Sequence, residues 1–376
     1  MTICEYNNFS NRQKDLVRDI LSDKSTKRKR VLGNAGSGKT TIITYCASKL
    51  LSEGKTVFVC CYNKTLLRQI RYMIATYGYA SFATNITVDN YHHFMWHYLN
   101  IDERKTFKEY EYSEYPPDPD GYRFDYRNKK PMFDFIFVDE MQDLRPKAIA
   151  NLIDLLRNEG KICVFADKYQ KIYDNNKFEN EEENVLSNVP KFPDNTGFRG
   201  RWTRLNEIYR ANNLIQEKGI EFAKKYLFSS YGSEDIILSG NRSPSEINYY
   251  THFSYSDLLQ YIKKLTIDER NGTVILVNNL NEINEISALL RSNNVLCVSI
   301  SDSKESFDVL SNGVKISTVK SFKGLEVPIC IYFCQDDNHP DENNYVGVTR
   351  ATNRLLVCNN CMNSAVEDIY SQFQEK

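Results

Sequence analysis

The stretch GNAGSGKT at residues 33–40 decides the fold of this 376-residue chain. Gly33, Gly38, Lys39 and Thr40 fit the phosphate-loop pattern G-x-x-x-x-G-K-[ST] without a mismatch. In such a loop the backbone N–H groups and the positive end of the following helix hold phosphates. The lysine reaches the β and γ phosphates, and the hydroxyl ligates Mg²⁺. The pattern therefore predicts a nucleotide site, but a kinase, a GTPase switch and a nucleic-acid motor can all carry it.

Composition indicates an ordinary soluble globular chain. Hydrophobic residues make up 41% and charged residues 26%, and the net charge of −1 provides no overall basic field for nucleic acid, although a balanced total can hide a basic groove. The chain has neither a bilayer-length apolar run nor a secretory N-terminus. Its 10 cysteines are scattered, which is typical of reduced thiols. We expect a cytoplasmic protein that does not associate with a membrane.

A second motif, FIFVDEMQDL at residues 135–144, ends an apolar strand in two acids. Asp139 at the strand tip can hold Mg²⁺, and Glu140 can orient the attacking water and accept its proton. An acidic pair after a strand is commonly a solvated loop. Its position downstream of a complete phosphate loop favours the catalytic interpretation.

Two parts of the chain alternate short β-branched runs with amphipathic helix patterns, which is typical of parallel sheets covered by helices. We therefore predict an α/β fold. Two polar stretches, residues 100–131 and 174–202, lack periodicity and are predicted as long loops. Helices are predicted at residues 39–51, 64–77, 146–158 and 280–292 and from about 365. Strands are predicted at residues 31–32, 56–62, 133–139, 161–167, 272–279, 295–300, 314–319, 328–334 and 353–359.

The string D-E-x-Q-D at residues 139–143 resembles the second motif of superfamily 1 DNA helicases of the UvrD/Rep/PcrA type. Further stretches between residues 8 and 357, before and after this string, resemble the other motifs of that family and occur in the family's order. The resemblance implies two RecA-like domains in tandem with the ATP site in the cleft between them. We expect an ATP-binding domain at residues 1–203 and a second domain, carrying an arginine finger, at residues 204–376.

For the ATP site, the resemblance implies a role for residues of both domains, with ATP and Mg²⁺ as cofactors. Gln13 would read the adenine, Tyr209 would stack on the base, and Glu326 would contact the ribose. Catalysis would involve Glu140, Gln170, Arg210 and Arg350, nucleotide binding would add Gly36, Gly38, Lys39, Thr40 and Thr41, and Mg²⁺ would be held by Thr40 and Asp139.

For the track, the resemblance implies single-stranded or tailed DNA, an ATP-dependent helicase or translocase, and movement from 3′ to 5′. DNA is favoured over RNA by analogy with the DNA-directed branch of the family. The predicted DNA contacts are Tyr62, Asn63, Lys64, His92, Tyr173, Thr318 and Lys320.

The chain departs from the family in its accessory insertions. Residues 100–131 are the candidate for a reduced first insertion, and residues 280–315 leave no room for a second. Residues 164–174, VFADKYQKIYD, resemble the family's third motif, but Ala166 replaces a usual glycine there and the tryptophan-containing run that follows this motif is absent. Lys320 replaces a usual histidine of the fifth motif. An alternative function is therefore a regulatory, DNA-sensing ATPase subunit that acts with a partner enzyme such as a nuclease and unwinds little alone.

Three weaker patterns have ordinary explanations. The basic run KSTKRKR at residues 24–30 is more typical of a solvated loop than of a nucleic-acid contact. The histidines of residues 91–98 favour packing and strand contact over metal binding. Trp202 is a candidate replacement for the missing stacking platform. Four cysteines have a spacing that zinc sites can use, but their place in an apolar strand pattern favours a buried sheet: Cys330, Cys334, Cys358 and Cys361.

Overall fold

The structure is a computed structural model with strands and helices in alternation. It describes residues 6–79, 84–96, 132–144, 146–167, 192, 196–199, 201–209, 213–227, 237–238, 242–301, 307–334 and 341–374. No helix in these ranges is long and apolar enough to cross a membrane.

The first sheet is formed by strands between residues 28 and 205 and contains six strands within the described residues. They are β1 (Arg28–Gly33), β2 (Val57–Cys61), β3 (Ile86–Asn90), β4 (Phe133–Asp139), β5 (Leu156–Ala166) and β6 (Thr203–Leu205). Their order is β3-β2-β4-β5-β1-β6, and all neighbours are parallel. Parallel strands place their carboxyl ends at one edge, so the phosphate loop after β1 and the acids at the end of β4 share that edge.

Helices cover both faces of this sheet, because successive side chains of a strand point to opposite sides. In β2, Val57 and Val59 pack into one apolar cluster, whereas Phe58 and Cys60 pack into the other. The covering helices are α1 (Asn11–Leu21), α2 (Lys39–Ser52), α3 (Lys64–Ile74), α4 (Tyr91–Trp96) and α5 (Pro146–Asp154).

The second sheet repeats this architecture, again with six parallel strands among the described residues. Along the chain, the short paired strands β7 (Glu207–Ile208) and β8 (Ile237–Leu238) come between the last strand of the first sheet and the first strand of the second. The strands of the second sheet are β9 (Glu246–Tyr250), β10 (Thr273–Val277), β11 (Cys297–Ser299), β12 (Val314–Thr318), β13 (Val327–Cys334) and β14 (Ala351–Asn359).

The order of the second sheet is β11-β12-β10-β13-β14-β9. Apolar residues of its strands are almost completely buried, which is the pattern expected of a sheet with helices on both faces. Its helices are α6 (Leu214–Phe222), α7 (Tyr255–Lys264), α8 (Ile267–Asn271), α9 (Leu280–Ser292), α10 (Asp341–Val348) and α11 (Ser364–Tyr370). The predicted α/β class with parallel sheets is confirmed.

The first sheet continues slightly beyond the predicted domain boundary. Strand β6 spans residue 203, and its Arg204 and Leu205 pair with Leu32 and Gly33 of the first sheet. The division at residues 203 and 204 stays a prediction, but these two residues of the predicted second domain belong to the first sheet.

The helix predicted at residues 146–158 was too long. Helix α5 ends at Asp154, and β5 already begins at Leu156. A register shift in the pairing of β4 with β5 accommodates residues 157–160 as an irregularity of the strand. The apolar residues keep helical spacing through residues 155–158. The sequence therefore could not show that pairing with β4 would prevail there. The elements that were not predicted are strands β3, β6, β7, β8 and β9 and helices α1, α6, α7, α8 and α10. Residues 100–131 lie outside the described residues.

Candidate nucleotide site between the two sheets

The phosphate loop has the backbone that close approach to an anion requires. Gly36 and Gly38 have φ values of 78° and 84°, in the left-handed region that favours glycine. Helix α2 then begins at Lys39 without a side-chain cap, which leaves its first N–H groups available to a phosphate. A β-carbon at Gly38 would lie 2.5 Å from the Gln13 side-chain nitrogen, so the position is crowded as well.

Lys39 and Thr40 connect the loop to the acids of neighbouring strands. The Lys39 ammonium donates to the carbonyls of Gly33 at 2.8 Å and Asn34 at 3.1 Å, and lies 3.4 Å from Asp167 Oδ2. Within the described part of the chain, the hydroxyls of Ser37 and Tyr209 are buried without a hydrogen-bond partner, so this region holds polar groups that a ligand could satisfy.

Thr40 and Asp139 fit a Mg²⁺ ion. The Thr40 hydroxyl donates to Asp139 Oδ2 at 2.6 Å, so two oxygen ligands already lie side by side. Burial, and then the neighbouring Glu140 carboxylate, raise the pKa of Asp139 to about 6. A buried carboxylate that is costly to ionise alone is suited to a cation, because the ion compensates its charge.

Glu140 is held in a strained and specific position directly after β4. Its φ of 53° lies in the left-handed region, which is unfavourable for a residue with a side chain and recurs at functional sites. The side chain is buried and accepts a hydrogen bond from Gln142 Nε2. Burial alone would raise the pKa of Glu140, but the ammonium groups of Lys323 and Lys39 outweigh it and lower the pKa below its usual value.

Gln142 connects the acids to the next strand. Its Oε1 accepts from the backbone N–H of Asp167 at 3.0 Å, while its Nε2 donates to Glu140. Both ends of one amide are therefore used, and the orientation of Glu140 depends on the position of β5. The motif at residues 139–143 was recognised from the sequence, but this bridging role of Gln142 was not.

The second sheet contributes a buried lysine to this cluster. Lys323 Nζ lies 2.6 Å from Asp143 Oδ2 and 3.4 Å from Glu140 Oε2, and the side chains of Lys323 and Asp143 are only 1% exposed. Burial raises the pKa of Asp143 to about 7, against the opposing effect of Lys323. Burial also tends to lower the pKa of Lys323, but Asp143 and Glu140 raise it above its usual value. An ion pair therefore joins the two halves of the fold beside Glu140, the predicted catalytic carboxylate.

The predicted adenine-reading residue contacts the phosphate loop. Ser10 and Gln13 form a reciprocal capping box at the start of α1, and Gln13 Nε2 also donates to the carbonyl of Ser37 at 3.1 Å. The backbone N–H of Tyr209 donates to the carbonyl of Gly36 at 2.9 Å. Gln13 and Tyr209, predicted from distant motifs, therefore both meet this loop.

Arg350 is fully buried beside the same cluster. Its Nε donates to the carbonyl of Val346 at 2.9 Å and its Nη2 to the Thr349 hydroxyl at 3.0 Å, so it is anchored within the second sheet's own unit. Its charge also contributes to lowering the pKa of Glu140. Its role as an arginine finger stays a prediction, as does the ribose contact of half-buried Glu326. Gln170, Tyr173 and Arg210 lie outside the described residues.

Some of the predicted DNA contacts cluster where β2 and β3 end. The rings of Tyr62 and His92 meet edge to face with centroids 5.5 Å apart. Lys64 is half-buried at the start of α3. Asn63, in contrast, is buried, and its amide donates to the carbonyls of Ser321 and Lys323 at 3.0 and 2.8 Å. Its side chain joins the sheets, which the sequence did not predict.

Of the other predicted DNA contacts, Thr318 is the last residue of β12 and Lys320 lies on the loop that follows that strand. Lys320 is exposed, and the Thr318 hydroxyl accepts from the backbone N–H of Ser321 at 3.1 Å. Trp202, considered as a stacking platform, is half-buried, and the Arg30 guanidinium lies 5.5 Å from its ring centroid. Phe192 packs against it as well, so in this structure Trp202 is part of a packed aromatic cluster.

The basic run and the cysteines take structural positions. Arg28 already belongs to β1, Lys27 pairs with Glu159 at 2.9 Å, and Lys29 pairs with Asp19. Among the described residues, no group of three or more histidine, cysteine, aspartate or glutamate side chains could hold a metal ion, which gives no support to zinc.

One comparison with known proteins gives a match. Residues 16–176 match the family model AAA_19, described as an AAA domain, which is a P-loop domain found in UvrD/Rep-like helicases. The match includes the phosphate loop and the acids at the end of β4. No curated protein matches the chain. Together, the match and the geometry indicate an NTP-hydrolysing enzyme of the P-loop class.

Proposed function

We propose that the chain is an ATP-dependent motor that moves on single-stranded DNA in the 3′ to 5′ direction. The observation that carries the proposal is the buried contact of Lys323 with Glu140 and Asp143. Lys323 belongs to the same loop as Thr318 and Lys320, which are proposed to touch the DNA backbone. Lys323, which lies close to the proposed DNA contacts, is thereby linked to Glu140, the carboxylate proposed to activate water.

The proposed chemistry divides between the two sheets. The loop N–H groups and Lys39 would hold the phosphates, and Glu140 would orient water and take its proton. Mg²⁺, held by Thr40 and Asp139, would neutralise charge that develops on the phosphates. Arg350 would complete the site from the second domain, whose boundary at residue 204 is part of the proposal, together with Arg210.

An arginine that acts across a cleft makes hydrolysis depend on closure of the cleft. Cycles of ATP binding and release would then open and close the two units, and a strand held across both would be moved stepwise. The ion pair from Lys323 to Asp143 lies at this boundary, so the two units are in contact beside Glu140.

The test is steady-state ATP hydrolysis by the purified chain with Mg²⁺, alone and with single-stranded DNA, single-stranded RNA or blunt duplex DNA. Single-stranded DNA should raise kcat most. Equal stimulation by RNA would contradict the DNA track, and hydrolysis that no nucleic acid stimulates would contradict a motor. Directionality is measured by displacement of a labelled protein from either end of a single strand.

The second candidate is a DNA-sensing ATPase subunit that serves a partner such as a nuclease. It is favoured by the compactness of the second unit. Residues 280–301 and 307–313 between β10 and β12 comprise α9, β11 and short turns, which leaves no accessory domain there. Unwinding of a 3′-tailed duplex separates the two candidates. Strong unwinding by the chain alone favours the motor, whereas stimulated hydrolysis without unwinding favours the subunit.

A further inference from the structure

The loop of residues 318–325, between β12 and β13, is compact and internally bonded. The backbone N–H of Phe322 donates to the carbonyl of Thr318 at 3.0 Å, and that of Leu325 donates to the carbonyl of Phe322 at 3.1 Å. Ser321 N–H donates to the Thr318 hydroxyl at 3.1 Å. These bonds tie the backbone from Thr318 to Leu325 into consecutive turns.

This loop contacts the start of α3, beside the first sheet, through hydrogen bonds and close packing. The carbonyl of Ser321 accepts from Asn63 Nδ2 at 3.0 Å and from the Thr65 hydroxyl at 2.7 Å. Gly324 has a φ of 85°, and a β-carbon there would lie 3.2 Å from Leu66. The start of α3 therefore fits closely against the loop.

Lys323 is the charged group that this docking buries. Its ammonium lies 2.6 Å from Asp143 and 3.4 Å from Glu140. Asp143 alone would suffice to neutralise it. The second contact is with Glu140 Oε2, the same oxygen that accepts from Gln142, so the two donors together restrict the direction of the catalytic carboxylate.

We propose that Lys323 is a positioning residue for Glu140, through which a strand bound on the 318–325 loop changes the rate of ATP hydrolysis. This rests on the proposed function, because it needs a nucleic acid on the loop. Lys323 does not touch the reacting atoms. It sets the orientation of the Glu140 carboxylate, which does. Through the loop, a strand bound at Thr318 and Lys320 changes the position of Lys323 and hence that orientation.

The experiment compares Lys323→Met and Lys323→Gln with Lys315→Met in the full chain. Lys315 is the matched control, since it is a buried lysine of β12, and its ammonium donates to the carbonyl of Asn271 rather than to an acid. ATP hydrolysis is titrated with oligothymidylate, which yields kcat, the KM for ATP and the half-stimulating DNA concentration. Thermal melting checks that each variant is folded.

Both Lys323 variants should lower the stimulated kcat about tenfold or more, because small misplacement of a catalytic group is costly, while KM and the half-stimulating concentration change little. Lys315→Met should keep the stimulated kcat. Lys320→Met should instead raise the half-stimulating concentration without lowering the maximum. Lys323→Gln keeps a donor for Asp143 and serves as the test if Lys323→Met does not fold.

A Lys323 variant overturns the inference if it keeps the wild-type stimulated kcat, if it loses no more of that rate than Lys315→Met does, or if its ratio of stimulated to unstimulated kcat equals that of the wild type. Failure of the proposed function looks different, because the wild type would then hydrolyse ATP without stimulation by any strand. In that case the positioning of Glu140 is judged from unstimulated kcat alone. The same loss relative to Lys315→Met supports it, and no loss overturns it.

Discussion

Two buried lysines, at the start and beyond the end of strand β12, have opposite electrostatic environments. Lys315 lies within the second sheet against the carbonyl of Asn271, and burial lowers its pKa to about 8, with a partial offset from Asp308. Lys323 lies after the strand against Asp143 and Glu140 of the first sheet, and these acids raise its pKa.

The difference teaches that burial of a charge does not by itself indicate function. Lys315 bears a desolvation cost within one unit of the fold, and its partner is a neutral carbonyl. Lys323 is compensated by charges that another part of the chain supplies, so its ion pair exists only while the two sheets meet.

The largest effect is expected at the acid that Lys323 contacts. Glu140→Gln should lower kcat about 100-fold or more, because a general base typically contributes 10²–10⁴-fold. Nucleotide binding should persist, because the phosphate loop is untouched, and titration with a fluorescent ATP analogue measures it. Glu159→Gln is the control, since the Glu159 side chain is 87% exposed, and it should leave kcat unchanged. Full turnover by Glu140→Gln would contradict a catalytic role of Glu140, and with it the positioning role proposed for Lys323.

The next effect concerns the docking of the loop. Asn63 caps α3 and also bonds the carbonyls of Ser321 and Lys323, whereas Asn363 caps α11. Each change to alanine should lower the free energy of unfolding by about 1 kcal/mol for the cap. Asn63→Ala should lose about 1–2 kcal/mol more, because two further bonds are lost. Urea unfolding measures both losses.

Only Asn63→Ala should lower the maximal stimulation of hydrolysis by DNA. A rise in the half-stimulating DNA concentration with an unchanged maximum would instead favour the original sequence prediction that Asn63 contacts DNA directly. Equal losses of stimulation in Asn63→Ala and Asn363→Ala would indicate general destabilisation.

Substitution of Lys315 should change the free energy of unfolding rather than kcat. Its folded pKa of about 8 lies below its ordinary value of 10.5, so between these pH values the unfolded chain binds a proton that the folded chain does not. The wild type should therefore gain stability relative to Lys315→Met as pH rises through that window, on the order of 1–3 kcal/mol. Unfolding free energies of both proteins at pH 8 and pH 10 measure the gain. A constant difference would contradict the assigned pKa.

The smallest effect is expected for an exposed lysine of the basic run. Lys27 pairs with the largely exposed Glu159 at 2.9 Å, and such surface pairs contribute about 0–1 kcal/mol. Lys27→Gln should leave the melting temperature and the half-stimulating DNA concentration almost unchanged. A several-fold rise in that concentration would show instead that this run lies on the track.

Much of the fold was predictable, because the phosphate loop and the apolar alternation around it depend on local sequence. The phosphate loop, the strand at 133–139 and the helix at 280–292 all occur where they were predicted. The extended backbone at residues 156–160 was missed, since pairing with β4 is a non-local contact that helical spacing does not reveal.

The candidate site was predictable as a set of residue types and less so as a set of contacts. Thr40 and Asp139, predicted as joint Mg²⁺ ligands, do lie in hydrogen-bond contact, because both stand at the carboxyl-end edge of one parallel sheet. Their binding of Mg²⁺ stays a prediction. The pairing of Lys323 with Asp143 joins positions 180 residues apart, and no spacing rule relates them. The inward turn of Asn63 likewise depends on the loop that it meets.

Occupancy of a strand site near Lys320 is proposed to control the carboxylate of Glu140. The most direct measurement is the ratio of kcat with saturating oligothymidylate to kcat without it, for the wild type and for Lys323→Met. We predict a large ratio for the wild type and a ratio near one for the variant. Equal ratios in the two proteins, whatever their absolute rates, would contradict this account.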